Sequence, residues 1–540
     1  MFRKRRRLAK IFSAGLLLLF TTAAAVFALG APESPTVPFH TPLDSTKTFT
    51  IALEETSDAI IYDVHLASDA NSLLVLGGIY EGLYSHDPQT ALPKPALAAQ
   101  ASVSADGLHW TFTLRDGIRF SNGDPITANS FLESWLWLLS QSKKRDSSFM
   151  ASLLDIVRGA RDYRQGLGPA GSVGLKTINS HTLEIELVSP APYLPSLLCN
   201  PAFAAVHPSN RKNGSANNPL EIIASGPYVV DQAEATAITL RKQPWYWDYE
   251  ETASDYIKVR FLSGRALTLT YLERKIDWSQ AYIPTDALRN KQDLHLFPEF
   301  STGFFYFSAS QGAYAQAKVR QALSLLIPWD SVRDISKQVY PTDKLVPTFP
   351  ISMREVNKVD SVDHELAFTL LQESGYPQGV GLPTLTMAIH RGSQLLEAAH
   401  FIAEVWSKEL GLTVVLDVVP LSVYSTIPSQ SPYDFAYITW IGDFYDPFAF
   451  LHLWSSDSSY NLGNYHNPEF DSTIRQAVAS PDIGDRQRLL QKAEDMLLTQ
   501  GVVFPLAHGL SINIVNTTLV SGWYDNLLNF HPLKYLKRKD

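Results

Sequence analysis

Residues 106–128 read DGLHWTFTLRDGIRFSNGDPITA, and this stretch decides the fold class. The run WTFTL at 110–114 alternates large apolar residues with threonine, which is the pattern of a half-buried β-strand. Asp-Gly and Asn-Gly pairs flank the strand, and such pairs tolerate the positive φ angles of tight turns. Thr127 can then cap a helix that continues through Phe131 and Trp135. The pattern predicts a small β domain followed by a helix.

Helical and strand patterns alternate in the C-terminal half of the chain. Residues 395–410 and 485–500 carry apolar side chains at helical spacing, and each segment ends at a glycine. Apolar strand-like runs follow directly, at residues 413–416 and 502–504. Helices that alternate with apolar strands predict α/β sheets covered on both faces. The length of 540 residues predicts two or three domains.

The N-terminus has the pattern of an export signal. Residues 1–10, MFRKRRRLAK, contain six cations, and residues 11–29 carry no charge. We predict a signal peptide or anchor over residues 1–30, with cleavage after Ala28, and a proline-rich linker over 31–45. The apolar run is long for a signal peptide, so an uncleaved anchor in the inner membrane is the alternative. No cysteine follows this run, so a lipoprotein is not expected.

Composition argues against several classes of function. Without the six N-terminal cations the chain has 39 Lys and Arg against 54 Asp and Glu, and an acidic chain without a basic stripe is not expected to bind nucleic acid. The single cysteine, Cys199, is predicted to be a buried apolar residue. Neither a Gly-x-Ser-x-Gly nor a His-Glu-x-x-His motif is present, so a secreted hydrolase is not favoured.

A second distinctive stretch spans residues 433–471. It begins with the strand-like run DFAYITW at 434–440 and continues through GDFYDP at 442–447 and NLGNY at 461–465. Together with the order of turns in residues 80–140, this stretch resembles the peptide-binding family of ABC-transporter solute-binding proteins. The resemblance implies an exported receptor for short peptides, not an enzyme.

The same resemblance implies an architecture. This is a two-lobed periplasmic-binding-protein fold, of the α/β class with mixed sheets, with an additional third domain. Lobe I would comprise residues 46–80, 208–299 and 508–540. Domain II would comprise residues 81–207, and lobe III residues 300–507.

Asp443 is the ligand-binding residue that the resemblance identifies most directly. In relatives, the aspartate three positions after the tryptophan of this strand binds the α-ammonium group of the peptide. An ammonium group enclosed between two lobes loses its water, and a fixed carboxylate can replace it. The alternative is that Asp443 only caps a turn before Asp446 and Pro447.

Other positions follow from the same alignment. Trp440, Gly442, Phe444 and Tyr445 would form the walls of the site and allow close backbone approach, although aromatic residues beside a strand are often core. Asn461 matches a position that bonds the peptide backbone in relatives.

The N-terminal side of the site would come from residues that follow the first strand. Relatives hold the peptide as an added β-strand, because main-chain hydrogen bonds grip any sequence. Ser68, Asp69 and Ala70 lie at the augmenting position and would act through their backbone groups. The alternative is an ordinary loop between lobe I and domain II.

The match fails at the carboxylate end of the ligand. Tyr437 occupies a ligand-binding position at which relatives have arginine, and Leu395 one at which they have histidine. A hydroxyl-bearing aromatic residue of relatives is replaced by Phe149 or Met150. The preferred peptide length therefore does not carry over, and a ligand without a free carboxylate, or a non-peptide ligand, becomes more plausible.

The implied function is capture of short peptides between the lobes and delivery to the transmembrane permease subunits of an ABC transporter. Hinge closure on the ligand would present the closed form to the permease. We expect a monomer that requires no cofactor and no metal. Nickel-chelate or haem binding on the same fold is the alternative, although the fourteen histidines show no HxxxH spacing. Sequence does not distinguish transport from peptide sensing.

Overall fold

The computed structural model describes residues 43–55, 60–67, 69–141, 149–213, 218–308, 311–336, 339–348, 362–390, 395–419, 433–458, 461 and 463–539. The predicted signal segment, most of the linker and Ser68 lie outside these residues. Within them, no helix has the length and apolar character needed to cross a membrane.

The strands of the described residues are, in chain order, β1 Thr48–Glu54, β2 Tyr84–His86, β3 Pro93–Pro95, β4 Ala98–Val103, β5 His109–Leu114, β6 Leu175–Asn179, β7 Thr182–Glu186, β8 Tyr228–Glu234, β9 Ala237–Lys242, β10 Tyr256–Leu262, β11 Trp278–Ser279, β12 Leu294–Phe307, β13 Tyr340–Pro341, β14 Leu385–His390, β15 Val414–Val419, β16 Phe435–Ile441, β17 Val503–Val515, β18 Val520–Ser521 and β19 Lys537–Arg538.

The α-helices of the same residues are α1 Ala70–Ile79, α2 Ala128–Gln141, α3 Phe149–Leu153, α4 Ala160–Gln165, α5 Leu194–Leu197, α6 Pro208–Asn213, α7 Gly264–Leu272, α8 Ala317–Leu325, α9 Trp329–Ile335, α10 His364–Glu373, α11 Leu396–Leu410, α12 Phe448–Leu451, α13 Pro468–Ala479 and α14 Ile483–Thr499.

The predicted small β domain is present. Strands β4, β5, β7 and β6 form a four-stranded antiparallel sheet in that order. Phe112 and Leu114 of β5 are buried, as the alternation predicts, and Trp110 stacks on Phe112 with ring centroids 5.9 Å apart. Helix α2 follows and buries Phe131 and Trp135. The local pattern was sufficient here because the strand has one wet and one buried face.

A large mixed sheet forms the rest of the framework. Its strand order is β15-β14-β16-β12-β17-β11-β1-β10-β9-β8, and β13 also pairs with β17. Strands β12 and β17 are the longest strands of this sheet. They pair with each other on both sides of a shift in the pairing register. Residues 294–298 pair with 510–514, whereas residues 302–306 pair with 503–508. These two strands therefore connect one half of the sheet to the other.

Both helices predicted in the C-terminal half are confirmed. Helix α11 ends at Gly411, which adopts a left-handed φ of 64°. Its Trp406 is buried and donates from Nε1 to the Leu323 carbonyl at 2.8 Å. Helix α14 covers most of the second predicted segment and leads into β17. Helices thus pack on the sheet as the alternating pattern requires.

Apolar residues separate into several buried clusters. One lies around β1 and β10 and includes Phe49, Tyr228 and Trp278. A second lies around α11 and β14. A third joins the small β domain to β12, β16 and the segment after β16. This third cluster surrounds the candidate site. Cys199 is buried, as predicted.

Candidate functional site

Asp443 lies immediately beyond the end of strand β16. Ile441 at the end of β16 pairs with Ser301 of β12, and the backbone amide of Gly442 donates to the Phe300 carbonyl at 2.9 Å. The pairing with β12 therefore fixes the backbone up to the residue before Asp443.

Gly442 is required by the close approach of an aromatic ring. A Cβ atom at this position would lie 2.5 Å from two ring atoms of Phe300 and 3.1 Å from the Phe450 ring. The Phe300 ring also packs edge-on against Tyr445 and Phe450, with both centroid distances at 5.1 Å. The side chain that lies close to Gly442 in this structure is that of Phe300, and a contact of Gly442 with a ligand stays a prediction.

The carboxylate of Asp443 is desolvated and incompletely paired. The residue as a whole is half-buried, but its Oδ2 atom is buried and has no hydrogen-bond partner among the described residues. Burial raises the pKa of Asp443 to about 7, and a hydrogen bond from its own backbone amide offsets only part of this rise. A buried carboxylate in this state favours a cationic partner.

The next acidic residue, Asp446, already has its cation. Arg486 donates to both carboxylate oxygens at 2.8 Å, and the Arg486 side chain is only 8% exposed. Asp446 also accepts from the Phe448 amide at 2.9 Å and so supports the start of helix α12. Of the two aspartates in GDFYDP, only Asp443 is therefore available to a charged ligand.

The three aromatic residues of the predicted wall differ in their surroundings. Trp440 is buried, and its Nε1 donates to the Ala449 carbonyl at 3.0 Å. Phe444 is fully buried and stacks on Tyr193, with centroids 5.1 Å apart and planes at 12°. Tyr445 is 40% exposed. Tyr445 is thus the member that a solute can reach most readily in this structure.

Other predicted positions have local roles. Asn461 is buried, its Nδ2 donates to the Tyr465 carbonyl at 2.8 Å, and its Oδ1 accepts from the Tyr465 amide at 3.0 Å. Tyr437 is buried, and its hydroxyl group lies 3.0 Å from Thr439 Oγ1. Leu395 is buried in the cluster around α11. Ligand contacts by Asn461 and Tyr437 stay predictions.

The N-terminal predicted positions begin a helix. Asp69 is the N-cap of α1, and its Oδ1 accepts from the Ser72 amide at 2.8 Å. Ala70 is the first residue of α1. The Asp69 side chain therefore stabilises the helix start, and the expected backbone contact with a ligand stays a prediction.

Sequence reasoning missed two residues that shape the site. Phe300 packs against Gly442, and Tyr193 stacks on Phe444. Both belong to segments far from residue 443 in the chain, so no spacing pattern links them to it. Only the pairing of β12 with β16 and the packing of the small β domain place them there.

The described part of the chain contains no cluster of three or more His, Cys, Asp or Glu side chains that could hold a metal ion.

Comparison with known proteins shows which protein family this chain is similar to. A profile of the family "Bacterial extracellular solute-binding proteins, family 5 Middle" matches residues 93–461. The oligopeptide-binding protein OppA of Bacillus subtilis is 27% identical over 464 residues, which cover 82% of this chain and 84% of the relative. The periplasmic oligopeptide-binding protein OppA of Salmonella typhimurium is 25% identical, covering 97% of this chain and 96% of the relative.

A solved structure extends the likeness to the fold. The periplasmic oligopeptide-binding protein OppAIV of Borrelia burgdorferi superposes with a TM-score of 0.78 at 26% identity, covering 91% of this chain and 100% of that protein. This likeness confirms the predicted α/β two-lobed architecture with a third domain. The exact residue limits of the three domains stay a prediction.

Proposed function

Because this chain belongs to family 5 of the bacterial extracellular solute-binding proteins, we propose that it captures short peptides through their free α-ammonium group at Asp443 and delivers them to an ABC-transporter permease. One observation carries the proposal. Asp443 Oδ2 is buried, has no hydrogen-bond partner in the described residues, and belongs to a carboxyl group whose pKa burial raises to about 7. The relatives named above are oligopeptide-binding proteins.

The chemistry of Asp443 suits an ammonium ligand better than a neutral one. A unit charge pair at ~4 Å and an effective dielectric near 20 gains about 4 kcal/mol before desolvation is subtracted. Arg486 already neutralises Asp446. Asp443 is therefore the carboxylate of this segment with which a bound ammonium group would pair. We therefore expect peptides with free amino termini to bind more tightly than blocked ones.

The environment beside Asp443 indicates how the rest of the ligand is accommodated. Phe444 is buried, whereas Tyr445 is exposed. A ligand side chain next to the ammonium group would then meet the Tyr445 ring, which tolerates many side-chain types through apolar contact. This arrangement supports binding that depends on the amino terminus more than on sequence.

The nickel-chelate or haem alternative is not favoured. Metal binding needs convergent ligands, and no group of three suitable side chains is found in the part of the chain described here. The family consists of solute-binding proteins, and we propose binding and delivery, not catalysis.

The site of action follows from the family and the N-terminal pattern. Relatives in this family are periplasmic or extracellular solute-binding proteins. We propose export through the basic and apolar N-terminal segment, and a monomeric receptor that meets its permease at the membrane surface.

Substitution of Asp443 tests the proposal. Asp443→Asn keeps the shape and removes the charge, and we expect tri- and tetrapeptides with free amino termini to bind at least tenfold more weakly. Calorimetry with a mixed library and its N-acetylated counterpart measures this effect. The exposed Asp286 provides a matched control, because Asp286→Asn removes an identical charge at a solvated position.

Two results would reject the assignment of Asp443. One is unchanged affinity of Asp443→Asn for free-amino peptides, and the other is equal binding of acetylated and free peptides by the wild type. Native mass spectrometry of the purified protein provides the second readout, in which co-purified peptides are expected.

A further inference from the structure

We propose that Tyr193 and Arg161 form a latch that attaches domain II to lobe III and stabilises the closed arrangement of the two lobes before ligand arrives. Domain II denotes residues 81–207, and lobe III residues 300–507, as above. The inference deepens the proposed function, because it assigns the third domain a part in setting ligand affinity.

Domain II is firmly attached to lobe I. The chain passes from lobe I to domain II at residue 81, where buried Glu81 accepts from the Tyr246 hydroxyl at 2.5 Å and from Trp247 Nε1 at 2.6 Å. Lys534 Nζ lies 3.0 Å from Asp248 and 3.7 Å from Glu81. These charges are buried and mutually satisfied, and removing one partner of such a group is strongly destabilising.

A second contact strengthens the same junction. The Arg115 guanidinium group of domain II lies 3.9 Å from the centroid of the Trp247 ring of lobe I. Both ends of domain II also continue directly into lobe I. Domain II and lobe I are therefore expected to move as one body.

The contact with lobe III is of a different kind. The Tyr193 ring stacks on Phe444 and packs on Phe448 at a centroid distance of 5.2 Å. Arg161 Nη1 lies 2.5 Å from Asp457 Oδ2, and the two side chains are 42% and 50% exposed. The Arg486 guanidinium of lobe III also lies 5.5 Å from the centroid of the Tyr193 ring. The contact at Tyr193 is thus buried and mainly aromatic, whereas the Arg161–Asp457 ion pair is wet and individually weak.

The difference between these two interfaces determines which one breaks. When the lobes separate, domain II must leave one of its partners. The attachment to lobe I includes a buried charge cluster and two chain connections. The contact with lobe III includes the shared apolar cluster, the Tyr193 ring stack with Arg486 beside it and a solvated ion pair, but no chain connection. The Tyr193–Phe444 contact therefore forms on closing and is lost on opening.

The latch also adjoins the ligand site. Phe444 follows Asp443 in the chain, and the Tyr193 hydroxyl group is buried without a hydrogen-bond partner among the residues described. Tyr193 is a positioning residue, because it acts through Phe444. A ring that holds Phe444 also holds the backbone that carries the Asp443 carboxylate.

The expected effect follows from the population of the closed form. Apparent affinity is proportional to the fraction of molecules in the closed form, so loss of the latch weakens binding without removing a ligand contact. A buried aromatic pair is worth a factor of about three to ten in an equilibrium constant. We expect Tyr193→Ala to weaken binding by about that factor, and Tyr193→Phe to leave it unchanged.

Small-angle X-ray scattering of the ligand-free full-length mature protein tests the latch directly. We expect Tyr193→Ala and Arg161→Asp to increase the radius of gyration, and the double variant Arg161→Asp with Asp457→Arg to return it to the wild-type value. Arg158→Asp is the matched control, because Arg158 pairs with Glu186 inside domain II. That control should leave the radius unchanged.

Calorimetry with trialanine supplies the second measurement. We expect weaker trialanine binding by Tyr193→Ala and Arg161→Asp, with recovery in the charge-swapped pair. The proposal is wrong if the ligand-free radius of gyration of these variants equals that of the wild type, or if their affinity for trialanine is unchanged. A wild type that fails to bind trialanine or the peptide library would instead contradict the proposed function, and the scattering result would stand independently.

Discussion

Two aspartates three residues apart, Asp443 and Asp446, differ in whether the fold supplies a cation. Arg486, on a helix that begins 37 residues later in the chain than Asp446, reaches Asp446 and forms a double hydrogen bond. No such partner reaches Asp443 Oδ2 within the described residues. The sequence resemblance selected Asp443, but the reason for that selectivity is the position of Arg486, which no local pattern around residue 443 reveals.

The raised pKa of Asp443 predicts a pH dependence of ligand affinity. Below about pH 7 the Asp443 carboxyl group is protonated, and a peptide ammonium must displace that proton. Affinity for trialanine should therefore rise with pH up to about 7 and fall again as the peptide amine, with an ordinary pKa of about 8, loses its charge. Calorimetry between pH 5.5 and 9 measures this profile.

Asp443→Asn is the control for the rising limb of this profile. The variant cannot lose a proton at position 443, so its residual affinity should not increase between pH 5.5 and 7. A wild-type affinity that is flat over the same interval would contradict the assignment of the titrating group to Asp443.

The same pKa predicts that Asp443 destabilises the ligand-free protein. The pKa of an aspartate is near 3.9 in the unfolded chain and about 7 at position 443 in the folded state. Between these values the native state binds more protons, so the free energy of unfolding falls as pH rises, by at most about 4 kcal/mol. The loss is complete above pH 7 and absent below about pH 4.

Asp443→Asn should remove this loss. We expect the ligand-free variant to unfold at a higher temperature than the wild type at pH 8, and at a similar temperature at pH 4. Differential scanning calorimetry of protein freed of peptides by unfolding and refolding compares the two. A variant that is less stable than the wild type at pH 8 would show that the carboxylate is stabilised in the free protein.

At the level of single elements, the local sequence pattern correctly predicted strands and helices that have one buried face. Alternation at 110–114 marked β5, and helical spacing before Gly411 marked α11, because one face of each element is buried. Ser68, Asp69 and Ala70 are predicted to contact the ligand through their backbone groups, and this stays a prediction. The structure adds that Asp69, with an extended backbone, is the N-cap of α1, which begins at Ala70. The signal for a helix start was present, since aspartate is a preferred N-cap residue.

Contacts between distant elements could not be obtained in this way. The stack of Tyr193 on Phe444 and the packing of Phe300 on Gly442 depend on how separate segments meet. An aromatic residue that shapes the site and one that lies only in the core can be of the same type. Periodicity in the sequence does not distinguish the two. Sequence therefore identified the strand that carries Asp443 but not the surfaces that enclose it.

The cap of α1 provides a test at this scale. Asp69→Ala removes the hydrogen bond from the Ser72 amide, and we expect the free energy of unfolding to fall by about 1 kcal/mol. Asp69→Ser should retain most of the stability, because serine also caps helices well. Urea denaturation measures both variants, and equal stability of Asp69→Ala and wild type would argue against the cap.

For the whole molecule, the predicted domain limits make the two long strands β12 and β17 the connection between lobe I and lobe III. Their pairing is interrupted between Pro298 and Thr302, opposite residues 508–510. The predicted crossing of the chain at 299–300 falls in this interval, and the predicted crossing at 507–508 lies at its edge. A bend between two regular stretches of ladder is where a sheet can flex with little loss of hydrogen bonds. We therefore regard this interval as the hinge on which closure depends.

Gly509 is the residue of the hinge that leaves no room for a side chain. A Cβ atom there would lie 1.7 Å from Ser301 Oγ and 3.1 Å from Glu299 Oε2, and Ser301 itself donates to Glu299 at 2.7 Å. Gly509→Ala should therefore displace β12 relative to β17 and disturb closure, with weaker trialanine binding and an altered radius of gyration by X-ray scattering.

Adding Ser301→Gly removes the obstructing hydroxyl and should restore both quantities toward wild type, because the clash is with that side chain. Gly171→Ala is the control, since a Cβ at that position meets nothing within 4 Å. If Gly509→Ala binds trialanine as tightly as the wild type, or if the second substitution gives no recovery, closure does not depend on the packing of Gly509 against Ser301.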